Sequence, residues 1–168
     1  MTAAPAWSMR PREEANLFNP VFLSQLVDRV AVGHTGTVGS GIPWPLVYLT
    51  LPIVLHKPTR DALPHSISTS MASWTRDHPL LVSALPSRAR SLRAHVTECL
   101  LFGLSHAVIN HDDARILPGQ RARRSPTVPW RDPTDDYREC ANWATFVGRW
   151  CGTAGLPATI FALWGVRP

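Results

Sequence analysis

IPWPLVYLTLPIVLHKPTRDALP, residues Ile42–Pro64, is the most apolar run of the chain, and it breaks off into Lys57, Arg60 and Asp61. Its uninterrupted apolar part, Trp44–Leu55, falls well short of the roughly 20 residues that a helix needs to cross a bilayer. It is therefore expected to lie buried among other elements, with no membrane role. Pro43 and Pro45 suit the first turn of a helix, where a missing N–H costs nothing. Pro52 lies inside the run and is expected to kink or split a helix near Leu49–Leu51. Val47, Tyr48, Ile53 and Val54 favour strands, so a short buried strand is the alternative. The kinked helix is the preferred reading, with Pro58 opening a second short helix over Thr59–Leu63.

Upstream, Met1–Arg10 reads as a loose, Pro-containing start. Asn19 then suits an N-cap, Pro20 the first helical position and Gly33 the C-terminal stop. Between them Phe22, Leu23, Leu26, Val27 and Val30 form an apolar stripe, with Ser24, Gln25, Asp28 and Arg29 facing away. HTGTVGSG, His34–Gly41, reads as a flexible loop. Downstream, Ser68 is expected to cap a helix through Met71, Trp74 and Asp77. Pro79 opens a short turn at Leu80–Leu85, and Pro86 precedes a long helix, Ser87–Phe102. That helix buries Leu85, Ala89, Leu92, Val96, Cys99, Leu100 and Gly103 and exposes Arg90, Arg93 and Glu98. Val108–Ile109 and Ile116–Leu117 flank a polar turn, Asn110–Ala114, and read as a hairpin. Pro118–Pro133 carries Arg121, Arg123, Arg124, Trp130 and Arg131 among four prolines and reads as an exposed loop. Thr134 caps the next helix, with Asp135 and Asp136 in its first turn; Tyr137, Cys140, Ala141, Ala144, Val147 and Cys151 line one face. Leu156–Trp164 forms a last short helix, stopped by Gly165.

The expected fold is a mainly α, compact helical domain with a small β-hairpin, winged-helix-like in its long helix followed by a hairpin. With 168 residues the default is one domain, 1–168, burying roughly 70% of its unfolded surface. The net charge is +5 and the only lysine is Lys57, so 16 of the 17 basic residues are arginine. Arginine suits interfaces as well as phosphates, and an Arg-, Ala- and Pro-rich composition also follows from a GC-rich genome. The three cysteines, Cys99, Cys140 and Cys151, make no C-x-x-C pair. With no leader of signal length, a reducing cytoplasm is the expected setting.

Catalytic chemistry finds little support. His111-Asp112-Asp113 is better read as a turn than as metal ligands, since no second ligand cluster lies near it. Glu13-Glu14 and Asp135-Asp136 are adjacent pairs that do not share a helix face. His95 and Cys99, four apart, could form a nucleophile pair, but Cys99 lies in the apolar stripe and reads as core. No phosphate loop or G-x-G-x-x-G occurs. No catalytic, metal or cofactor-binding residue is therefore assigned. Two surface readings stay open. Arg88, Arg90 and Arg93 on the long helix, Arg115 on the hairpin and the Arg121–Arg124 cluster could contact nucleic acid, or they could be a solvated face. Of the seven tryptophans, Trp44, Trp74, Trp143, Trp150 and Trp164 lie in or beside predicted elements. Trp7 and Trp130 lie in loose segments, and Trp130 beside Arg131 has the composition of an interface anchor or of a loop folding back.

Four stretches taken together point further: NLFNPVF at Asn16–Phe22, PLVYLTLPIVLHKPTRDALP at Pro45–Pro64, LLFGL at Leu100–Leu104 and GRWCGTAGLPATIFALWGVRP at Gly148–Pro168. Their order resembles the middle-component family of bacterial three-component ABC systems, over nearly the whole chain from Asn16. The resemblance implies a small noncatalytic adaptor between an SMC/Rad50-like ABC ATPase and an effector, in anti-phage or anti-plasmid defence; Lamassu-like systems are related. Nucleic acid would be met through the complex or directly. The resemblance offers Arg60, Arg149, Trp150, Arg167 and Pro168 for packing or docking. The contact surfaces expected are the Arg90/Arg93 helix face and the Arg121–Trp130 loop.

Overall fold

The computed structural model describes residues 18–119 and 135–167. In chain order these form α1 (Pro20–Val38), β1 (Ile42–Pro43), α2 (Trp44–Leu55), α3 (Lys57–Asp61), α4 (Met71–Asp77), α5 (Pro79–Ser105), β2 (Ile109–Asp112), β3 (Arg115–Pro118), α6 (Asp135–Thr153) and α7 (Pro157–Leu163). The described fold is mainly helical, with one small antiparallel sheet in the order β1-β3-β2.

α1 starts as its sequence dictates: the Asn19 side chain accepts from the Val21 N–H at 2.9 Å and Pro20 fills the first turn. It does not stop at Gly33. It runs on to Val38 and ends at Gly39, whose φ of 73° supplies the left-handed cap and whose N–H bonds the Thr35 carbonyl at 2.8 Å. The stretch expected to be a loop is thus mostly the last turns of a helix. The reason is packing. α1 lies against α6, α5, α2 and β3, and Gly33 is buried where a Cβ would collide with the Thr145 carbonyl of α6. Gly148 of α6 returns the contact, because a Cβ there would collide with the Val30 carbonyl of α1. Two helices that touch backbone to backbone need glycine at the crossing. Enclosure on several sides also explains why Ser24 and Asp28, read as outward, are buried.

Trp44–Leu55 is the helix that the sequence favours over a strand, unsplit at Pro52, whereas Pro86, expected to precede a helix, lies inside one. α2 is continuous through Pro52 and α5 through Pro86, so the predicted turn and helix over 80–102 are one 27-residue helix. A proline removes one backbone hydrogen bond; here buried residues hold each helix on both sides of it. In α2 eight of the 12 residues are buried, and in α5 Leu85 precedes the proline and His95 follows it. The short helix after Pro58 is present as α3, at Lys57–Asp61. The cap of α4 is Ser70, whose hydroxyl accepts from the Ser73 N–H, and not Ser68, which bonds Ser66.

The hairpin forms as the sequence indicates, with a tighter turn. Asp112 pairs with Arg115, leaving Asp113 and Ala114 to reverse the chain, and Asp113 takes φ 48°. Pro118, assigned to the loop, closes β3. The third strand was not foreseen: Ile42 pairs with Ile116. Pro43 is then the residue before α2, whose first turn holds Pro45 as anticipated. Side chains of α1, α2, α4, α5, α6 and α7 join Ile42, Ile109 and Ile116 in one apolar cluster. Trp74, Trp150 and Trp164 meet within it, ring centroids 5.3–6.5 Å apart. Each ring has its N–H satisfied: Trp74 by the Ala62 carbonyl at 2.9 Å, Trp150 by the Thr69 carbonyl at 2.7 Å, Trp164 by Met71 Sδ at 3.3 Å. Cys99, Cys140 and Cys151 are buried free thiols. Among the described residues no helix is long and apolar enough to cross a membrane. Met1–Arg10, Trp7, Glu13-Glu14, Arg121, Arg123, Arg124, Trp130, Arg131, Thr134 and Pro168 lie outside the described residues.

Candidate functional site

The arginines separate into inward and outward sets. Arg60 is only 4% exposed. Its Nη1 donates to the Val54 carbonyl at 2.8 Å and its Nε to Glu139 at 3.2 Å, so it ties the end of α2 to α6. Trp150 is 1% exposed and belongs to the tryptophan cluster. Of the packing and docking readings of these two, their positions in this chain fit packing. Arg90, Arg93, Arg149 and Arg167 are exposed. Arg90 and Arg93 lie on the outer side of α5, which also presents Leu80 at 84% and Leu101 at 65% exposure.

Arg88 departs from the expected groove-reading role. Its Nη1 donates to Thr59 Oγ1 and its Nη2 to the Leu81 carbonyl, both at 3.0 Å. Thr59 in turn is held by His56, whose Nδ1 lies 2.7 Å from the Thr59 hydroxyl and accepts from the Thr59 N–H at 3.2 Å. Arg115 likewise spends its guanidinium on the chain itself, donating to the Gly41 carbonyl at 2.9 Å and pinning β3 to the residue before β1.

Beside this network α2 and α5 leave a cleft of about 300 Å³, lined by Phe18, Pro52, Leu55, His56, Ser87, Arg88, Ser91 and Leu92. Its walls are mostly apolar. Burial lowers the pKa of His56, and the Arg88 charge lowers it further. Burial also lowers that of Arg88, and Arg88 Nε has no hydrogen-bond partner among the described residues. Sequence reading missed this site because its residues come from three separated segments and share no motif. The signal that could have found it is the pair His56 and Arg88, polar residues at the end of one apolar helix and inside the next long one.

The Cys99–His95 pair offers little to a reaction. The Cys99 thiol donates to the Val96 carbonyl at 3.2 Å, and burial pushes its pKa far up. His95 is buried and stacks on Phe18 at 4.5 Å. A thiolate nucleophile needs a lowered pKa, so this pair is core packing. Among the described residues no three His, Cys, Asp or Glu side chains gather as metal ligands would. The described surface carries an apolar cleft with a cation in its wall, and exposed Leu80, Arg90, Arg93 and Leu101 along α5.

Comparison with curated proteins and with solved structures finds no match. The family model for the ABC-three component (ABC-3C) system Middle Component 3 matches residues 7–168. The match takes in all the described elements, from the N-cap of α1 to the turn after α7, and the chain belongs to the Middle Component 3 family of ABC-three component systems.

Proposed function

We propose that this chain is the noncatalytic adaptor of a cytoplasmic ABC complex for anti-phage or anti-plasmid defence, linking an SMC/Rad50-like ATPase to an effector, as in Lamassu-like systems. Family membership over residues 7–168 carries the reading. The buried, high-pKa thiols support it, as does the exposed α5 face. The chain acts as one domain. Arg90, Arg93, Arg149 and Arg167, with Arg121, Arg123, Arg124 and Trp130, are its contact residues, and Arg60 and Trp150 hold the fold behind them. An adaptor of this kind works by binding its ATPase differently in two nucleotide states, since only differential affinity shifts an equilibrium.

The test is purification of the tagged chain from its native host with the neighbouring genes intact. The expected result is a stable complex containing an ABC ATPase and a third protein. A solitary monomer or homodimer retained on duplex DNA at low salt refutes the adaptor reading.

One observation favours a second reading. A long helix followed by a hairpin, in a sheet ordered β1-β3-β2, is the order of a winged-helix DNA-binding module. Under it the isolated chain binds duplex DNA with affinity falling steeply as salt rises, and Arg90→Glu with Arg93→Glu abolishes binding. If that double variant leaves both DNA binding and complex assembly intact, the α5 face has neither role.

A further inference from the structure

We infer that the cleft between α2 and α5 receives a carboxylate-bearing, otherwise apolar segment of a partner protein, with Arg88 as the cation that meets the acid. The lining sets the chemistry. Phe18, Pro52, Leu55 and Leu92 offer apolar surface, and the polar members are His56, Ser87, Ser91 and Arg88. No Asp or Glu lines the cleft. Both hydrogen-bond acceptors recorded for Arg88, Thr59 Oγ1 and the Leu81 carbonyl, are neutral. The guanidinium is thus partly desolvated without a counter-charge among the described residues, and its Nε–H is unused.

A guanidinium has five N–H donors arranged to fit a carboxylate. Holding one half-buried with only neutral acceptors is costly, and an arriving carboxylate would relieve that cost. Salt-bridged arginine against apolar walls selects Asp or Glu beside a large apolar side chain over a purely apolar or a basic segment. The volume, about 300 Å³, suits an anchor of one or two side chains, the size of a single recognition pocket. A phosphate backbone seeks exposed arginines, and this one is half-buried in a mostly apolar wall.

The inference rests on the adaptor reading for the identity of the partner and not for its chemistry, which lets the two be tested apart. The photo-crosslinking residue p-benzoylphenylalanine replaces Ser91, exposed on the cleft lining, in the full chain expressed with its neighbouring genes. Crosslinked peptides are then sequenced by mass spectrometry. The expected adduct is a peptide of another protein with Asp or Glu within two residues of a large apolar side chain. Arg88→Met is expected to lower its yield about tenfold, and Arg76→Met, at an exposed α4 position outside the proposed contact residues, to leave it within about twofold. Because Arg88→Met also loses two internal hydrogen bonds, Ser87→Glu at the exposed rim serves beside it. The added carboxylate repels an acidic partner and should cut the yield by a similar factor with an unchanged melting temperature.

An adduct within this chain, an adduct to a second copy, an adduct to a segment lacking acid, or no adduct overturns the inference. So does a yield indifferent to both variants. An acidic-apolar peptide from a protein that is neither ATPase nor effector upholds the cleft and sinks the adaptor reading. An ATPase and effector that copurify without any adduct from the cleft do the opposite.

Discussion

Alanine at Gly148 and alanine at Gly36 should move stability in opposite directions, although each is the same added methyl group in a helix. At Gly148 the methyl would lie 2.9 Å from the Val30 carbonyl carbon and 3.0 Å from its Cα, and closer still to the carbonyl oxygen. Carbon atoms rest at about 3.5–4.0 Å and the carbonyl oxygen is nearer still, so α1 and α6 must separate by about 1 Å or more. The obstructing atoms are backbone and cannot rotate aside. Any separation loosens the seam in which Val27, Val30, Ala31, Ala144, Val147 and Cys151 are all buried. Overpacking costs about 1–3 kcal/mol, and backbone on both sides places this case at the upper end. The helix propensity of Ala over Gly returns roughly 1 kcal/mol. The net expectation is a loss of about 2 kcal/mol, or roughly 4–8 °C in Tm for a chain of this size. At Gly36 nothing lies within 4 Å of the added methyl, so only the propensity acts. Gly36→Ala should then gain about 0.5–1 kcal/mol. Urea denaturation followed by tryptophan fluorescence, with thermal scans alongside, reads both. If Gly148→Ala stays within about 0.5 kcal/mol of the parent, or if both variants shift the same way, the backbone crossing of α1 and α6 is not as described.

Other outcomes follow from buried polar groups. Asp28 is buried and accepts the Gly119 N–H at 2.9 Å; burial raises its pKa above 3.8, against smaller lowering by that bond and by Arg29. Folding thus favours the protonated acid. Its contribution is full below the ordinary carboxylate range and is lost as pH rises through the raised value. Asp28→Asn should therefore be at least as stable as the parent at pH 7, with the difference vanishing below about pH 4; denaturation at a series of pH values checks this. Arg60→Met strands the Val54 carbonyl and leaves Glu139 unpaired, and since Glu139 is 37% exposed the loss should be held to about 2 kcal/mol in the same urea assay. Burial pushes the Cys151 thiol up to about 12 and raises Cys140 and Cys99 as well. A thiol reagent at pH 8 should leave all three free cysteines unmodified in the native chain and label all three in strong denaturant. Rapid native labelling of Cys99 would revive it as a nucleophile.

Local signals were legible and non-local ones were not. The Asn19 cap and the Asp113 turn depend on residues within a few positions of each other, and both stand where the sequence places them. Gly33 carries the same local signal as a helix stop and is none, because the residue that explains it is Thr145, more than a hundred positions on. Pro86 marks no helix start for a related reason: the cost of a proline is local, while the burial that outweighs it is tertiary. β1 is two residues long and exists only because β3 lies beside it. No periodicity announces a strand that short.

Arginine chemistry poses the same difficulty for the site. Arg60, Arg88 and Arg90 are the same residue type in sequence, each within a helix. The fold gives them three fates. Arg60 is enclosed and bonded to the carbonyl and carboxylate of its own chain, so removing it should unfold before it unbinds. Arg90 is solvated, so reversing its charge should alter association and salt dependence with little effect on stability. Arg88 lies between them: half-buried, held by neutral oxygens, facing no acid among the described residues. That intermediate state is the one a purely structural role explains least well, since a fold can cap Leu81 and Thr59 with a neutral donor at lower desolvation cost. Under the proposed adaptor role, a cation kept partly dry and facing no acid among the described residues has a use when a partner arrives. Stability and association measured on the same three variants therefore separate fold, surface and pocket, and Arg88 alone should lose both.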